Sequence, residues 1–550
     1  MERNKYKLIK TKKRFLGLIS LSLIMFMVTL DTTITNIALP NITNYFKSDL
    51  TDTNWISTIY VLIMAIAIIP ASKFGDQFGR KKLMGIGLIT FGVGSTLCGF
   101  SNTLPILIVM RFIQGIGGAI VTPIMIPLSV SLFGREEANH AVGIIGAVTA
   151  VAAAAGPSIG GIILRYLNWK WIFFVNVPII IFAFILVNFC FEESFDLTIS
   201  KKVDFWGLIF LTLCLAQLTF LLVKGYDFGW DSSTSRILMF GIVSSLLIFI
   251  WIEQRVKFPL LELSIFKEIT FLSSSIIYFI CGFVVVCSSL IFNFYLEDVR
   301  GYSALNASYI IMFMSITVMI AMPLGSKLAT YMGYRNIISI GMLLMAISLF
   351  LLAGLKSDTT NKVMIFFMII LGFGFGLTCL SIVSAVQYIP ENKAGIASGV
   401  VNAARQLGTC LGIALLVGMM SQNVSLAKKN IRINSMELVT QQKLSGNIDN
   451  LIKKRLSDNF NLKNDKNNIE FQTKVKRDII KKLEVNKKIT RLNGGVSKID
   501  NKNKILELFK YIKNLKDQQL TKAFTKIFMV AAWIVTSFSF VGLFTDRNQK

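Results

Sequence analysis

Long runs of apolar residues, each about as long as a membrane-crossing helix, alternate with short polar segments along most of the chain. A helix needs about 20 predominantly apolar residues to cross the hydrocarbon core of a bilayer. The pattern therefore predicts an all-α, multi-pass membrane protein with fourteen transmembrane helices, which we number spans 1 to 14. The predicted spans cover residues 15–39, 55–72, 83–100, 104–130, 141–164, 172–191, 204–223, 237–252, 271–296, 305–325, 336–355, 363–386, 395–420 and 524–544.

The composition agrees with this pattern and argues against a large soluble enzyme. Of the 550 residues, 53% are hydrophobic and 16% are charged, and the mean hydropathy is +0.62. Span 1 is too long for the apolar region of a signal peptide and lacks a small-residue cleavage site, so it is expected to remain uncleaved. All seven cysteines lie in apolar runs without metal-binding spacing, so we expect neither a disulfide nor a metal site.

The positions of Lys and Arg predict which side of the membrane each loop faces. With both termini in the cytoplasm, the short inner segments hold 22 Lys and Arg residues and the short outer loops hold 8. Cytoplasmic loops carry the excess of positive charge, so both termini are expected inside. The predicted parts are a cytoplasmic N-terminus (1–14), an N-terminal six-helix bundle (15–191), two inserted helices (204–252), a C-terminal six-helix bundle (271–420 and 524–544), an extracellular loop (421–523) and a cytoplasmic C-terminus (545–550).

The segment at 421–523 differs from the rest of the chain in its charge. It carries 24 basic and 10 acidic residues, so it supplies +14 of the net charge of +26. Residues 459–468 are too polar to pack, while 479–485 and 505–515 have the spacing of short amphipathic helices. A basic extracellular loop could bind anionic lipid or wall polymers, or it could be a solvated insertion. Its predicted side excludes nucleic acid as a partner.

Two charged residues interrupt apolar runs at bilayer depth. Arg111 lies within span 4 and Asp31 within the outer half of span 1, which also carries the polar residues Thr35 and Asn36. A charge in the membrane is costly, so it normally marks a polar pathway or a proton relay. An acidic residue at this depth suits a proton-binding role for Asp31. The alternatives are a structural carboxylate at Asp31 and an arginine that reaches the interface at Arg111.

Six sequence strings, in their order along the chain, resemble those of the major facilitator superfamily, in its branch of fourteen-helix drug:proton antiporters. The resemblance covers nearly all of the chain except 421–523. It implies two six-helix halves with two inserted helices, and it ties Arg111 to proton coupling. The strings are LDTTITNIALP (30–40), SKFGDQFGRKK (72–82), RFIQGIGGAIVTP (111–123), the Gly/Pro-rich end of span 5 (143–161), WKWIFFVNVP (169–178) and ASGVVNAARQLG (397–408).

The loop between spans 2 and 3 matches the gating loop of this family. The matching residues are Asp76, Gly79, Arg80 and Lys81, and the acidic and basic side chains can hold the inner gate closed. A weaker copy of the loop follows 254 residues later, where Thr330 stands at the acidic position. This echo is typical of the parallel halves of the fold.

Two further strings supply candidate packing and binding residues. In span 5 the antiporter motif comprises Gly143, Gly156, Pro157, Gly160 and Gly161, where small residues let helices approach closely and proline bends the helix. The predicted substrate cavity comprises Thr35, Asn36, Gln114, Asn402, Arg405 and Gln406. Arg405 could hold an anionic or carbonyl group, or it could pair structurally with another helix. Because Asp31 is a single buried acid, electrostatics favour neutral, monocationic or amphipathic substrates.

These observations predict proton-coupled efflux of lipophilic, drug-like compounds across the bacterial plasma membrane, driven by the proton gradient and without a cofactor. The alternatives are an exporter dedicated to one metabolite or to a tetracycline-type drug, and a membrane sensor that transports nothing. The expected partners are a lipophilic or cationic small molecule, protons and membrane lipid. A monomer is expected, and the sequence implies no periplasmic adaptor.

Overall fold

The fold was analysed in a computed structural model of the chain. The structure describes all residues except 1, 49, 54, 196–203, 257–258, 260, 262, 303, 391–392, 442–494 and 547–550. Within the described part, every regular element is helical. The α-helices are α1 (Glu2–Phe46), α2 (Leu50–Thr53), α3 (Trp55–Phe78), α4 (Arg80–Phe100), α5 (Leu104–Phe133), α6 (Arg135–Tyr166), α7 (Trp171–Phe174), α8 (Asn176–Cys190), α9 (Phe205–Phe228), α10 (Ser233–Glu253), α11 (Ile269–Val286), α12 (Phe292–Phe294), α13 (Ala304–Ala353), α14 (Asn361–Thr378), α15 (Ser381–Gln387), α16 (Ala394–Gly412), α17 (Gly418–Gln441) and α18 (Gly495–Ser539).

Shorter turns connect several of these helices. The π-helical turns Cys287–Ile291 and Tyr295–Val299 flank α12, and Ile413–Val417 joins α16 to α17. The 3-10 turns Leu263–Lys267 and Phe540–Phe544 precede α11 and follow α18. Ten stretches among the described residues are long and apolar enough to cross a membrane. The all-helical, multi-pass fold that the hydrophobic pattern predicts is therefore confirmed, whereas the count of fourteen spans stays a prediction.

Two glycines at equivalent positions of the sequence echo turn the chain between successive helices. Gly79 separates α3 from α4 with a φ of 113°, and Gly333 divides α13 with a φ of 78°. Both values lie in the left-handed region that favours glycine. One of the ten apolar stretches, Asn306–Ala353, covers most of both predicted spans 10 and 11. The repeat seen in the sequence has a counterpart in the backbone.

The N-terminal and C-terminal halves pack together near the end of the bundle where α3 joins α4. The Ser398 hydroxyl of α16 lies 3.3 Å from the Pro123 carbonyl oxygen of α5. A Cβ on Gly399 would lie 2.8 Å from the Cβ of Ser72, so the α16 backbone touches α3. A second contact joins the halves where Gly146 of α6 lies against Met322 of α13. The α9 helix packs on α10 and also lies against α3 and α16.

The chain divides into two compact units, of which the second consists of Leu355–Asp358 and Met419–Lys526. Apart from the short turn at Leu355–Asp358, its described residues are helical: α17 continues to Gln441 and α18 begins at Gly495. The predicted amphipathic piece at 505–515 is therefore part of a longer helix. The pieces predicted at 459–468 and 479–485 lie outside the described residues.

Candidate functional site

The two charged residues predicted at bilayer depth contact each other directly. Asp31 of α1 and Arg111 of α5 form an ion pair in which Nη1 of Arg111 lies 2.5 Å from Oδ2 of Asp31. At most 1% of either side chain is exposed. Removing a charge from water costs several kcal/mol, which a buried pair offsets only when its geometry is good and its remaining polar atoms are bonded.

Three further groups bond the polar atoms of this pair. Gln114 Nε2 and Asn176 Nδ2 donate to Oδ1 of Asp31 at 2.8 and 2.9 Å. Arg111 Nη1 donates to Gln114 Oε1 at 2.9 Å, and its Nε donates to the Ile56 carbonyl oxygen at 3.1 Å. Both carboxylate oxygens of Asp31 therefore have donors, and the charge pair is held by helices α1, α3, α5 and α8.

Two residues that the sequence reasoning did not single out complete the surroundings of the pair. Asn176 also donates to Ser95 Oγ at 3.0 Å, which ties the network to α4. The ring of Tyr60 lies 4.3 Å from the Arg111 guanidinium carbon, within the range of a cation–π interaction. An Asn within an apolar helix is unusual, so the sequence could have indicated a buried polar role for Asn176. A Tyr is common in such helices, so the sequence does not distinguish Tyr60.

The polar positions near Asp31 on α1 have local partners. Thr35 is fully buried and donates to the backbone oxygen of Asp31 at 2.6 Å. Asn36 accepts a hydrogen bond from Ser57 at 2.8 Å. Gln114 is also fully buried. Thr35 and Gln114, which were predicted to line the substrate cavity, are therefore inaccessible in this arrangement.

The glycines of the predicted antiporter motif bring α6 against α1. A Cβ on Gly156 would lie 2.0 Å from Thr33 Oγ1, and one on Gly160 would lie 3.0 Å from Ile34. Gly143 faces open space at its Cβ position. The helices α6 and α1 thus lie closest beside the turn of α1 that carries Asp31. Pro157 and Gly161 also belong to α6.

The predicted gating loop forms a small network of charges. Arg80 donates to Asp76 Oδ1 at 2.8 Å, and Lys81 Nζ donates to the Asn188 carbonyl oxygen at 2.9 Å. The carboxylate of Glu193, just after α8, accepts from the backbone N–H groups of Lys81 and Lys82 at 3.0 Å each. A carboxylate at a helix N-terminus satisfies free N–H groups and the helix dipole.

The weaker copy of this loop has an equivalent carboxylate from a different place in the chain. Asp546 accepts from the backbone N–H of Tyr334 at 3.1 Å, directly after Gly333, and from the Tyr388 hydroxyl at 2.6 Å. Burial, together with the hydrogen bond and charge of Asp546, raises the pKa of Tyr388 to about 12. The phenol therefore stays protonated and keeps donating near neutral pH. Thr330 is exposed and takes no part in this contact.

The second arginine within a predicted span, Arg405 of α16, has a different environment. Its Nη1 lies 3.4 Å from the Tyr278 hydroxyl of α11, and its guanidinium carbon lies 5.5 Å from the centre of that ring. None of the ion pairs between described residues includes Arg405. Its neighbour Gln406 lies 3.9 Å from the Met64 sulfur, and Asn402 donates within its own helix. The side chains of Arg405 and Gln406 are partly accessible.

Comparison with known proteins identifies the family to which this chain belongs. Residues 21–413 match the family model described as Major Facilitator Superfamily, and the chain belongs to that family. A solved structure of the human organic anion transporter MFSD10 has a TM-score of 0.50 at 14% identity, and the match covers 74% of this chain and 92% of that one. The predicted family and fold class are therefore confirmed, and this neighbour shows the fold alone.

Several bacterial relatives are similar over most of their length. The riboflavin transporter RibZ of Clostridioides difficile is 30% identical over 76% of this chain and 91% of its own. The multidrug transporter protein MdtP of Bacillus subtilis is 31% identical, covering 75% and 76%. The tetracenomycin C resistance and export protein of Streptomyces glaucescens is 28% identical, covering 74% and 76%. This similarity places the chain among membrane transporters, with relatives in drug efflux.

Proposed function

We propose that this protein exports lipophilic, drug-like compounds across the bacterial plasma membrane in exchange for protons, by alternating access. The observation that carries the proposal is the sealed Asp31–Arg111 pair, which is bonded on every side by Gln114, Asn176 and Ile56. The pair joins α1, α3, α5 and α8, so a movement of these helices that separates Asp31 from Arg111 would leave the carboxylate free to exchange a proton. Names of relatives such as the multidrug transporter of Bacillus subtilis support drug-like substrates.

Protonation of Asp31 would change the balance of this network. A neutral carboxyl group leaves the Arg111 guanidinium buried without its counter-ion, and breaking a buried pair costs about 3–5 kcal/mol. The network must then rearrange, which gives proton binding a mechanical consequence. Because neither side chain is accessible in this arrangement, the proton has to reach Asp31 in another conformation. Proton loading is therefore linked to the motion between the halves.

The gating loops support an inward-closed arrangement. The excess of Lys and Arg supports a cytoplasmic position for both termini and for the 72–82 loop. The halves pack together at this same end, through Ser398 with Pro123 and through Gly399 with Ser72. We infer that Asp76, Gly79, Arg80 and Lys81 stabilise this closed inner end, so that bound substrate would leave toward the outside.

The decisive experiment measures proton release driven by substrate in everted membrane vesicles. Wild type, Asp31→Asn and Arg111→Ala are compared at equal abundance, with Asp52→Asn as the control because Asp52 is an exposed carboxylate in α2. We expect proton release on addition of a lipophilic compound with wild type and Asp52→Asn, and its loss in both other variants and with a protonophore. Unchanged coupling in Asp31→Asn would remove this residue from the mechanism.

A second candidate is export of a single compound. The relative from Clostridioides difficile is named a riboflavin transporter, and the match covers 91% of that protein. This name, which specifies one compound, supports a dedicated substrate as the second candidate. The same vesicles distinguish the two functions. Flux of riboflavin alone, within a panel of neutral, cationic and anionic aromatic compounds, would favour the dedicated exporter. A complete absence of flux and of proton release would favour a sensor.

A further inference from the structure

We infer that the substrate of this transporter carries an anionic group, such as a carboxylate, and that Arg405 binds it. The inference rests on the proposed transport function and names the substrate class that the site would take. It differs from the expectation of a neutral or monocationic substrate, which depended on Asp31 as the charge available to a ligand. In the structure, Arg111 neutralises Asp31 and neither side chain is accessible to a ligand.

The predicted span 13 (395–420) puts Arg405 near the depth where a substrate would bind. Arg405 is the twelfth residue of the helix that begins at Ala394, about 17 Å along that helix at the rise of 1.5 Å per residue. That is about halfway through a hydrocarbon core of about 30 Å. Substrate sites of such transporters lie near the bilayer midplane between the two halves. The contact of Gln406 with Met64 shows that this part of α16 faces the N-terminal half.

The charge of Arg405 has no acidic partner among the described residues. Its donor capacity is five N–H groups, of which one makes a long contact of 3.4 Å with Tyr278. A cation at the bilayer centre is costly unless it is paired or faces a water-filled cavity. Because Arg405 is partly accessible, an anion that reaches its guanidinium group can supply the missing counter-charge.

The backbone around Arg405 is fixed by very close helix packing. A Cβ on Gly282 of α11 would lie 2.0 Å from the Arg405 carbonyl oxygen, and one on Gly408 would lie 1.9 Å from the Phe279 carbonyl oxygen. The planar guanidinium is therefore presented from a rigid position beside the Tyr278 ring. A fixed guanidinium fork matches a carboxylate in two parallel hydrogen bonds, and the adjacent aromatic ring suits an apolar body.

The test measures binding of three compounds that share one apolar body and differ in charge. They are pyrenebutyrate (anionic), pyrenebutanol (neutral) and pyrenebutyl-trimethylammonium (cationic). Binding to the purified full-length protein is followed by pyrene fluorescence anisotropy without a proton gradient. We expect the wild type to bind the anion at least about tenfold more tightly than the neutral compound, since hydrogen bonds to charged groups contribute this much.

Three variants assign this preference to Arg405. Arg405→Gln should bind the anion and the neutral compound equally, and Arg405→Lys should keep part of the preference because a point charge replaces the fork. Arg335→Gln is the control, since Arg335 is an exposed arginine in α13. If Arg405→Gln does not fold, the partial loss in Arg405→Lys still decides the question.

Several outcomes would overturn the inference. They are an unchanged anion preference in Arg405→Gln and Arg405→Lys, a wild-type preference for the cation, and no binding of any of the three compounds. A failure of the proposed antiport gives a different result. In that case the anion preference would remain in the binding assay, while vesicles would show no proton release.

Discussion

The two arginines within predicted spans, Arg111 in the N-terminal half and Arg405 in the C-terminal half, differ in what balances their charge. Arg111 is fully buried against Asp31, and the surrounding amides leave no access to the pair. Arg405 is partly accessible and forms none of the ion pairs of the described chain. The N-terminal half thus supplies its own counter-charge, whereas the C-terminal half leaves that position to a ligand. This difference favours proton handling in the first half and substrate recognition in the second.

The largest expected effect comes from making the same substitution at both arginines. Arg111→Gln leaves Asp31 buried without its cation, and we expect a loss of about 3–5 kcal/mol in the free energy of unfolding. Arg405→Gln removes a charge that no acidic residue of the described part of the chain pairs with, so the stability should change little. Thermal unfolding of the purified variants in detergent measures both. If Arg405→Gln and Arg111→Gln lowered the stability equally, Arg405 would have a structural partner, and the proposed difference between the two arginines would be wrong.

The double variant Asp31→Asn with Arg111→Gln sharpens this result. It removes both charges together, so that neither is left uncompensated in the core. We expect much of the lost thermal stability to return while proton-coupled transport stays absent. If the double variant is as unstable as Arg111→Gln, the hydrogen-bond geometry and not the charge balance governs stability at this site.

The next largest effect on stability is expected from substituting glycines at the close helix contacts near Arg405 and near Asp31. A methyl group at Gly408 would meet the Phe279 backbone at 1.9 Å, whereas one at Gly156 would meet the Thr33 hydroxyl at 2.0 Å. Overpacking typically costs about 1–3 kcal/mol. Gly408→Ala should destabilise more, because a side chain can rotate away and a backbone cannot. Gly143→Ala, with open space at the Cβ position, is the control in thermal unfolding.

A smaller effect is expected at the two carboxylates that bond the helix starts after Gly79 and Gly333. Asp546→Asn should cost about 1–2 kcal/mol, as for the loss of a helix cap. Glu193→Gln should cost less, because Glu193 is exposed to solvent and Asp546 is buried. Hydrogen–deuterium exchange of the amides of Lys81, Lys82 and Tyr334 reports each loss locally. Faster exchange at the first loop than at the second would reverse the predicted order.

The contact of Asp546 with Tyr388 also predicts a dependence on pH. Because the pKa of Tyr388 is raised to about 12 in the folded protein, its contribution is complete below the ordinary tyrosine pKa of about 10. It is lost as the pH rises through about 12. Stability should therefore not change between pH 6 and 9 on account of this residue. Tyr388→Phe, which lacks the donating hydroxyl group, should be less stable than wild type across that range and should lack the further loss at high pH.

The smallest effect is expected from removing the hydroxyl group of the tyrosine beside each arginine. Tyr60→Phe retains the ring 4.3 Å from Arg111, so we expect a change of less than about 1 kcal/mol. Tyr278→Phe removes the 3.4 Å contact with Arg405 and should shift anion affinity by about twofold or less. A large loss of coupling in Tyr60→Phe would instead place its hydroxyl group on the proton pathway.

Much of the fold could be predicted from the sequence, because apolar length alone constrains a helix in a bilayer. The helix ends could not. Predicted span 1 starts at residue 15, whereas α1 extends from Glu2 to Phe46. Similarly, α18 begins at Gly495, well before predicted span 14. Hydropathy marks only the part of a helix that lies in the membrane. Polar residues can continue the same helix outside the membrane, so the hydrophobic pattern does not show where the helix ends.

The site could be predicted only where a residue conflicts with its surroundings. Asp31 and Arg111 stand out because a charge is costly in an apolar run. Asn176 carries a weaker form of the same signal within WKWIFFVNVP. Glu193 and Asp546 lie in polar stretches, where an acidic residue resembles any solvated charge. Their roles depend on helix starts that are more than 100 residues away in sequence, and a single sequence does not encode such pairs visibly.

The two helix-start carboxylates differ in when they can form during synthesis of the chain. Glu193 meets Lys81 across 112 residues, so the first loop can be secured while the C-terminal half is still being translated. Asp546 meets Tyr334 across 212 residues and follows the last helix. Domains made first generally fold first. The helix that begins after Gly333 is therefore made well before its partner. Its Tyr334 N–H group cannot bond Asp546 until residue 546 has left the ribosome.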